Sequence, residues 1–216
     1  MSLVKKYDKT LRRRVALRAV WLPGTEVRVG DIMLLKDGAL VSVGNLEGEN
    51  IPYSVSSIGD AHSLSLKSKG VSQLLIQNGA KISLSKLDTA LDAELKISFK
   101  EENSYFLRTP VMSGVGMNMA MNIAREIAKL TNWDHLRNYV VHKIWRAEDF
   151  SFLGNLEGTS EVSFEGKGEF IKNIITNGIS SGLSKTNSKS MNFEVMGKSG
   201  PIVMQVFRVK RNGDIY

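Results

Sequence analysis

Between Ala61 and Lys100 apolar and polar residues alternate with a period of two, and no other stretch limits the fold as much. Leu64 and Leu66 alternate with Ser63, Ser65 and Lys67. Ile82 and Leu84 alternate with Lys81, Ser83 and Ser85. Leu95, Ile97 and Phe99 alternate with Glu94, Lys96, Ser98 and Lys100. That period puts one apolar and one wet face on an extended strand. Gly70 and Asn78-Gly79 fall between the runs, and Asn-Gly supplies the positive φ of a two-residue hairpin. The stretch therefore predicts amphipathic antiparallel strands with one face on a core.

The remaining chain has to complete that core. At 216 residues, 42% hydrophobic and 24% charged, it reads as a single α+β domain over 1–216. The absence of cysteine excludes disulfides, thiolate metal sites and cysteine nucleophiles. No apolar run is long enough for a membrane-spanning helix, and no apolar segment of signal-peptide type opens the chain. A cytoplasmic location, with recruitment to membrane, is expected.

Charge is distributed unevenly. Of the net +7, residues 1–28 carry +6 and residues 185–216 carry +4, leaving the body at −3. Basic ends on a slightly acidic body suit an anionic partner, either lipid or nucleic acid. In residues 1–20, Val4, Tyr7, Leu11 and Val15 form one helical stripe among Lys5, Lys6, Lys9, Arg12, Arg13, Arg14 and Arg18. This predicts a basic amphipathic helix able to lie on an anionic membrane surface. Trp21 follows, and Pro23-Gly24 breaks the pattern.

Residues 24–100 read as a hairpin followed by the amphipathic strands. Asp37-Gly38 is the first tight turn. Gly30 is a bend and Asp31 a turn acceptor. Residues 101–116 read as a connector. A helix is expected over 117–131, with Met117, Met119 and Met121 as core filler. Tyr139–Trp145 looks like a buried strand. Residues 139–168 hold an amphipathic hairpin, with Phe150 and Phe152 before a Gly154-Asn155 turn and Val162 and Phe164 after it. A helix over 169–183, a polar mobile loop and a terminal strand over 201–210 complete a twisted, mainly antiparallel sheet.

Motifs for chemistry fail on context. Ser113-Gly-Val-Gly116 precedes a helix, as a phosphate-cradling turn does, but Met119 stands where the third glycine is needed. Gly178-Ile-Ser-Ser-Gly182 has the letters of a nucleophile elbow around Ser180, yet no histidine follows it. His135 and His142 read as structural side chains rather than zinc ligands. The reading is non-enzymatic, with no metal and no cofactor.

The element order resembles the pore-forming N-terminal region of the gasdermins. The basic helix of residues 4–20 matches that family's opening. Val29-Gly30-Asp31-Ile32 stands where the family has Leu-Gly-Asp-Val, and residues 62–100 and 141–168 stand where it has two amphipathic hairpin regions. Val203–Val209 and Asn212-Gly213 match its closing strand and turn. The chain departs from the family in having no C-terminal inhibitory domain and no N-terminal cysteine for acylation. The resemblance implies a membrane-acting protein of cell death or defence. It would bind anionic lipid through Lys5, Lys6, Lys9, Arg12, Arg13, Arg14 and Arg18, and oligomerise into a β-barrel pore. Leu64, Leu66, Leu95, Ile97, Phe99, Phe150, Phe152, Val162 and Phe164 would face the membrane. Control would come from truncation, a separate inhibitory chain or another signal. The alternative is a soluble cytoplasmic adaptor whose basic ends meet nucleic acid or an acidic protein.

Overall fold

A computed structural model describes residues 1–59, 62–177, 184–189 and 192–216. In chain order its elements are α1 (Leu3–Val15), β1 (Arg18–Ala19), β2 (Asp31–Lys36), β3 (Ala39–Asn45), β4 (Val55–Ser57), β5 (Ser65–Lys67) and β6 (Val71–Gln77). Next come β7 (Ala80–Ile82), a 3-10 turn at Leu84–Lys86, β8 (Asp92–Phe99), β9 (Ser104–Arg108), β10 (Ser113–Met117) and α2 (Ala120–Ile127). The chain closes with β11 (Asn138–Asn155), β12 (Ser160–Lys167), α3 (Gly168–Asn177), β13 (Ser184–Lys189) and β14 (Phe193–Phe207). Every ladder with a described register is antiparallel. The class is α+β.

The described residues form two compact units. The first comprises residues 1–7, 62–112 and 147–199. It holds a five-stranded sheet ordered β13-β12-β8-β6-β7. The period-two reading holds best on β8, where Ala93, Leu95, Ile97 and Phe99 are buried and the residues between them are not. Beside Phe106, Leu153, Val162, Phe164, Ile171 and Ile174 they form one apolar cluster. The Asn78-Gly79 turn joins β6 to β7 with both residues at positive φ, as the dipeptide predicts.

The second unit comprises residues 8–61, 113–146 and 200–216. β2 and β3 form the expected hairpin over Asp37-Gly38, and the first half of β11 pairs with β2 and β10. Asp31 is the turn acceptor, taking Arg28 N at 2.8 Å and Asn45 Nδ2 at 2.8 Å. Its core gathers Val20, Met33, Leu46, Ala124, Ile127, Val140, Val141 and Met204.

Several expectations fail for identifiable reasons. The N-terminal helix stops at Val15 rather than near residue 20, because Ala16 turns to positive φ and Arg18–Ala19 pairs as β1 with Met204 and Val203. The 101–116 connector contains β9 and β10. Glycine alternation there marks close approach: a Cβ on Gly114 would lie 2.7 Å from Gly59 O and 2.8 Å from Ile58, and one on Gly116 2.7 Å from Ile58. Residues 139–168 are no hairpin. β11 pairs with β9, whereas β12 pairs with β8 and β13. The turn is not at Gly154-Asn155. Buried Asn155 donates from Nδ2 to Glu157 O and Gly158 O, shaping the next four residues instead. Leu84 sits in the 3-10 turn and is exposed, so β7 ends at Ile82. Met117 is core, but Met119 and Met121 are exposed, and α2 covers only 120–127. The loop expected to be mobile contains β13, and β14 starts at Phe193 rather than 201. The Ser180 motif and the end of the 169–183 helix lie outside the described residues, as does Ala61.

Candidate membrane interface

Neither glycine nor proline interrupts Leu3–Val15, and Arg12, Arg13 and Arg14 in its last turn complement the helix dipole. The buried stripe is Leu3, Tyr7 and Leu11, all at 0–1% exposure, rather than the expected Val4-to-Val15 line. Val15 is exposed. In the first unit Tyr7 stands edge-on to Tyr105 at 5.1 Å and tilted against Phe152 at 5.5 Å. Leu3 lies where a Cβ on Gly154 would be, 2.9 Å away.

The seven predicted lipid-binding cations separate into groups. Arg12 Nε bonds Asp8 Oδ2 at 3.0 Å, and Arg18 Nε stands 3.3 Å from Asp8 Oδ1. Asp8 is buried, and its Oδ1 also accepts Ala19 N at 3.0 Å. Arg18 is thus mostly enclosed and serves the fold. Lys6 reaches Glu101 at 3.7 Å, a carboxylate shared with Lys69 at 3.8 Å. Lys9 is half-buried. Lys5, Arg13 and Arg14 are exposed and have no ion-pair partner among the described residues.

Of the predicted membrane-facing side chains, five meet in one place. Leu95, Ile97, Phe99, Val162 and Phe164 share the first unit's apolar cluster, with Ile97 opposite Val162 and Leu95 opposite Phe164. Phe150 and Phe152 lie on β11 outside that cluster, and Ser151 between them is equally buried, so this half-strand is not amphipathic. Leu66 is buried opposite Leu107, and Leu64 is half-buried just before β5. The opposite face of β8 and β12 is polar. Lys96 pairs with Glu94 at 3.3 Å, Ser98 donates to Glu161 at 2.7 Å, and Lys167 meets Asp92 at 2.8 Å.

A surface in the second unit escaped sequence reasoning. Leu34, Leu35, Val41, Val43, Leu136 and Tyr139 line a groove of about 650 Å³ with Lys36 and Arg137. Leu35 is 50%, Val43 55% and Leu136 76% exposed. The continuous apolar run Ile32–Leu35 was the available signal, since a run without alternation leaves its outer members uncovered when only one face packs. Near it Arg208 stacks on Tyr216 at 4.1 Å and on Tyr139 at 5.3 Å. A second cavity, about 340 Å³, has an apolar floor of Val27, Val29, Val115 and Ile144. Its cations Arg28 and Arg146 both lean on Glu26, at 3.9 and 3.3 Å.

Burial pushes the Tyr53 hydroxyl pKa up, and Tyr53 Oη donates to Val29 O at 2.7 Å. Burial lowers the pKa of Arg108, and burial aided by Lys143 lowers that of His142. His135 holds Val209 O at 2.9 Å through Nδ1, a structural role as expected. Among the described residues no group of acidic and histidine side chains is arranged to hold a metal. No described helix is long and apolar enough to cross a membrane, which says nothing of strands.

No family model matches the chain, and no curated protein matches it. Among solved structures it is similar to a bacterial gasdermin from Bradyrhizobium tropiciagri, at 10% identity and a TM-score of 0.39, covering 96% of this chain and 88% of that one. It is similar also to the gasdermin A3 membrane pore seen by cryo-electron microscopy, again at 10% identity and TM-score 0.39, covering 95% and 88%. These two structures carry the same family name as the resemblance drawn from the sequence pattern.

Proposed function

We propose that this chain acts on membranes, docking on anionic lipid through the exposed cations of α1. The observation that carries the reading is the two-sided character of that helix. Leu3, Tyr7 and Leu11 are consumed by packing, while Lys5, Arg13 and Arg14 project into solvent without counter-ions among the described residues. Each such cation contributes on the order of 1 kcal/mol near an anionic surface. The exposed aliphatic groove with Lys36 and Arg137 supports the reading, because apolar side chains bordered by cations suit a headgroup boundary.

Insertion is the second half of the proposal. Only closed barrels satisfy strand backbones in lipid. A membrane strand needs roughly 9–11 residues, and β8 and β12 have 8 each, so both must lengthen. Their alternation already has the needed form, with Leu95, Ile97, Val162 and Phe164 turning outward to lipid and Lys96 and Ser98 remaining wet. Oligomerisation of this chain with itself follows from the need for closure.

Liposome dye release tests both halves. Release from anionic vesicles with little from neutral ones supports the reading. No release from either, with any covering segment removed, overturns insertion. Retention of nucleic acid in an electrophoretic assay without vesicle binding would favour an adaptor instead.

A further inference from the structure

We infer that Gln77 is a single-residue latch that holds α3 on the first unit, so that α3 is the element released first when the unit opens. Gln77 ends β6 and is 7% exposed, with its amide turned away from the strand ladder. The amide is spent on one peptide of the segment leading into β8: Nε2 donates to Asp88 O at 2.8 Å, and Oε1 accepts Asp88 N at 3.0 Å. Nε2 also lies 3.5 Å from Leu91 O. A side-chain amide thereby replaces the partner that a neighbouring strand would have supplied.

The pinned segment in turn caps α3. Gly168 N donates to Leu91 O at 2.8 Å and Glu169 N donates to Thr89 O at 3.0 Å. The first N–H groups of a helix have no partner within it, so residues 88–91 supply what α3 lacks. The fit leaves no slack, because a Cβ at residue 168 would collide with Asp88 O. The path from Gln77 to α3 is therefore two hydrogen-bonded steps long, and among the described residues no other side chain holds the Asp88 peptide.

What the latch restrains is specific. α3 contributes Ile171 and Ile174, both fully buried, to the cluster that contains Leu95, Ile97, Phe99, Val162 and Phe164. Its departure uncovers those side chains without breaking the β8–β12 ladder. Gln73 provides an internal comparison. It lies two alternations back on the same face of β6, and its buried Nε2 has no hydrogen-bond partner among the described residues. Two glutamines on one face thus differ in use: the Nε2 of one is unpartnered among the described residues, while the amide of the other both donates and accepts.

The inference stands on the geometry of the first unit and is independent of the membrane proposal. Amide hydrogen exchange on the whole chain tests it, comparing wild type with Gln77→Glu, Gln77→Leu and Gln73→Leu. Glu keeps the shape but cannot donate to Asp88 O, and Leu can do neither. The latch predicts that amides of Asp88 and of 168–177 exchange at least about tenfold faster in both Gln77 variants, as expected for the loss of buried hydrogen bonds. Amides of β2, β3 and α2 in the other unit should stay unchanged and so report that the variants fold. Gln73→Leu should leave 168–177 as protected as in wild type. Unchanged exchange over 168–177 in the Gln77 variants would overturn the latch. So would uniform acceleration across both units, or an equal effect from Gln73→Leu.

Discussion

Asp8 and Arg18 meet at 3.3 Å across the end of α1, and the same carboxylate oxygen accepts the backbone N–H of Ala19 at 3.0 Å. With Arg12 on the other oxygen at 3.0 Å, one buried acid engages two of the seven cations of this region. Fewer cations are therefore free than the sequence suggests, and among the described residues Lys5, Arg13 and Arg14 remain exposed without an ion-pair partner.

Asp8→Asn should lower stability by about 2–3 kcal/mol, since it strips charge from a hydrogen bond to Arg12 and an ion pair with Arg18 in a buried position. Urea denaturation measures this. A loss below about half a kcal/mol would mean that water replaces the carboxylate.

Changing Lys5, Arg13 and Arg14 together to Glu should abolish sedimentation with anionic vesicles. It should leave the urea midpoint nearly unchanged, because exposed substitutions usually act within about half a kcal/mol. Binding by wild type should weaken as salt rises, since screening acts over about 8 Å at physiological ionic strength. Retained sedimentation by the triple variant at low salt would exclude α1 as the docking element.

Ile97 and Lys96 are neighbours on β8 with opposite surroundings. Ile97→Asp places a charge in a fully buried position and should cost several kcal/mol. Lys96→Asp forfeits the 3.3 Å pair with Glu94, which is partly exposed, and should cost about 1 kcal/mol. In dye-release and conductance measurements Lys96→Asp should shift ion selectivity while leakage persists.

His142 packs edge-on against Phe207 at 5.8 Å, and burial, aided by Lys143, holds its pKa below the ordinary histidine value. A base with a lowered folded pKa is protonated first in the unfolded chain. Stability should therefore be flat above the unfolded value of about 6.5 and fall as pH drops from there to the lower folded value. Urea midpoints from pH 7.5 to 5 should decline in wild type and less steeply in His142→Gln. Equal slopes would remove His142 from the acid response.

Legibility of the fold followed the physical source of each signal. Asp37-Gly38 and Asn78-Gly79 announced their hairpins because two-residue turns require positive φ at adjacent positions. β8 was readable because one of its faces is wet. Phe150 to Asn155 misled, since that half of β11 is buried on both faces and its polar members, Ser151 and Asn155, are interior. β13 is Ser-Lys-Thr-Asn-Ser-Lys, which carries no hydrophobic period to read. Partner choice was hidden too, because β12 bypasses its chain neighbour β11 to join β8.

The candidate interface was only half legible. Spacing located the basic helix, but the partners of Arg12, Arg18 and Lys6 are Asp8 and Glu101, one of them 95 positions away, and sequence order does not rank such pairs. The groove beside Leu35 and Leu136 joins residues that are distant along the chain and becomes visible only once the strands are placed.

Gly114 and Gly116 leave a bare backbone track along β10 on which Ile58 rests. In evolutionary terms the track and the isoleucine form one unit of change. A descendant that acquires alanine at 114 gains a methyl where Ile58, Gly59 O and Trp145 Nε1 already stand, so it must move the backbone at 58–59 as well as trim position 58. Drift is therefore expected to be paired at 116 and 58, with Gly116 lost where residue 58 has first become smaller and Gly114 held also by the Gly59 backbone.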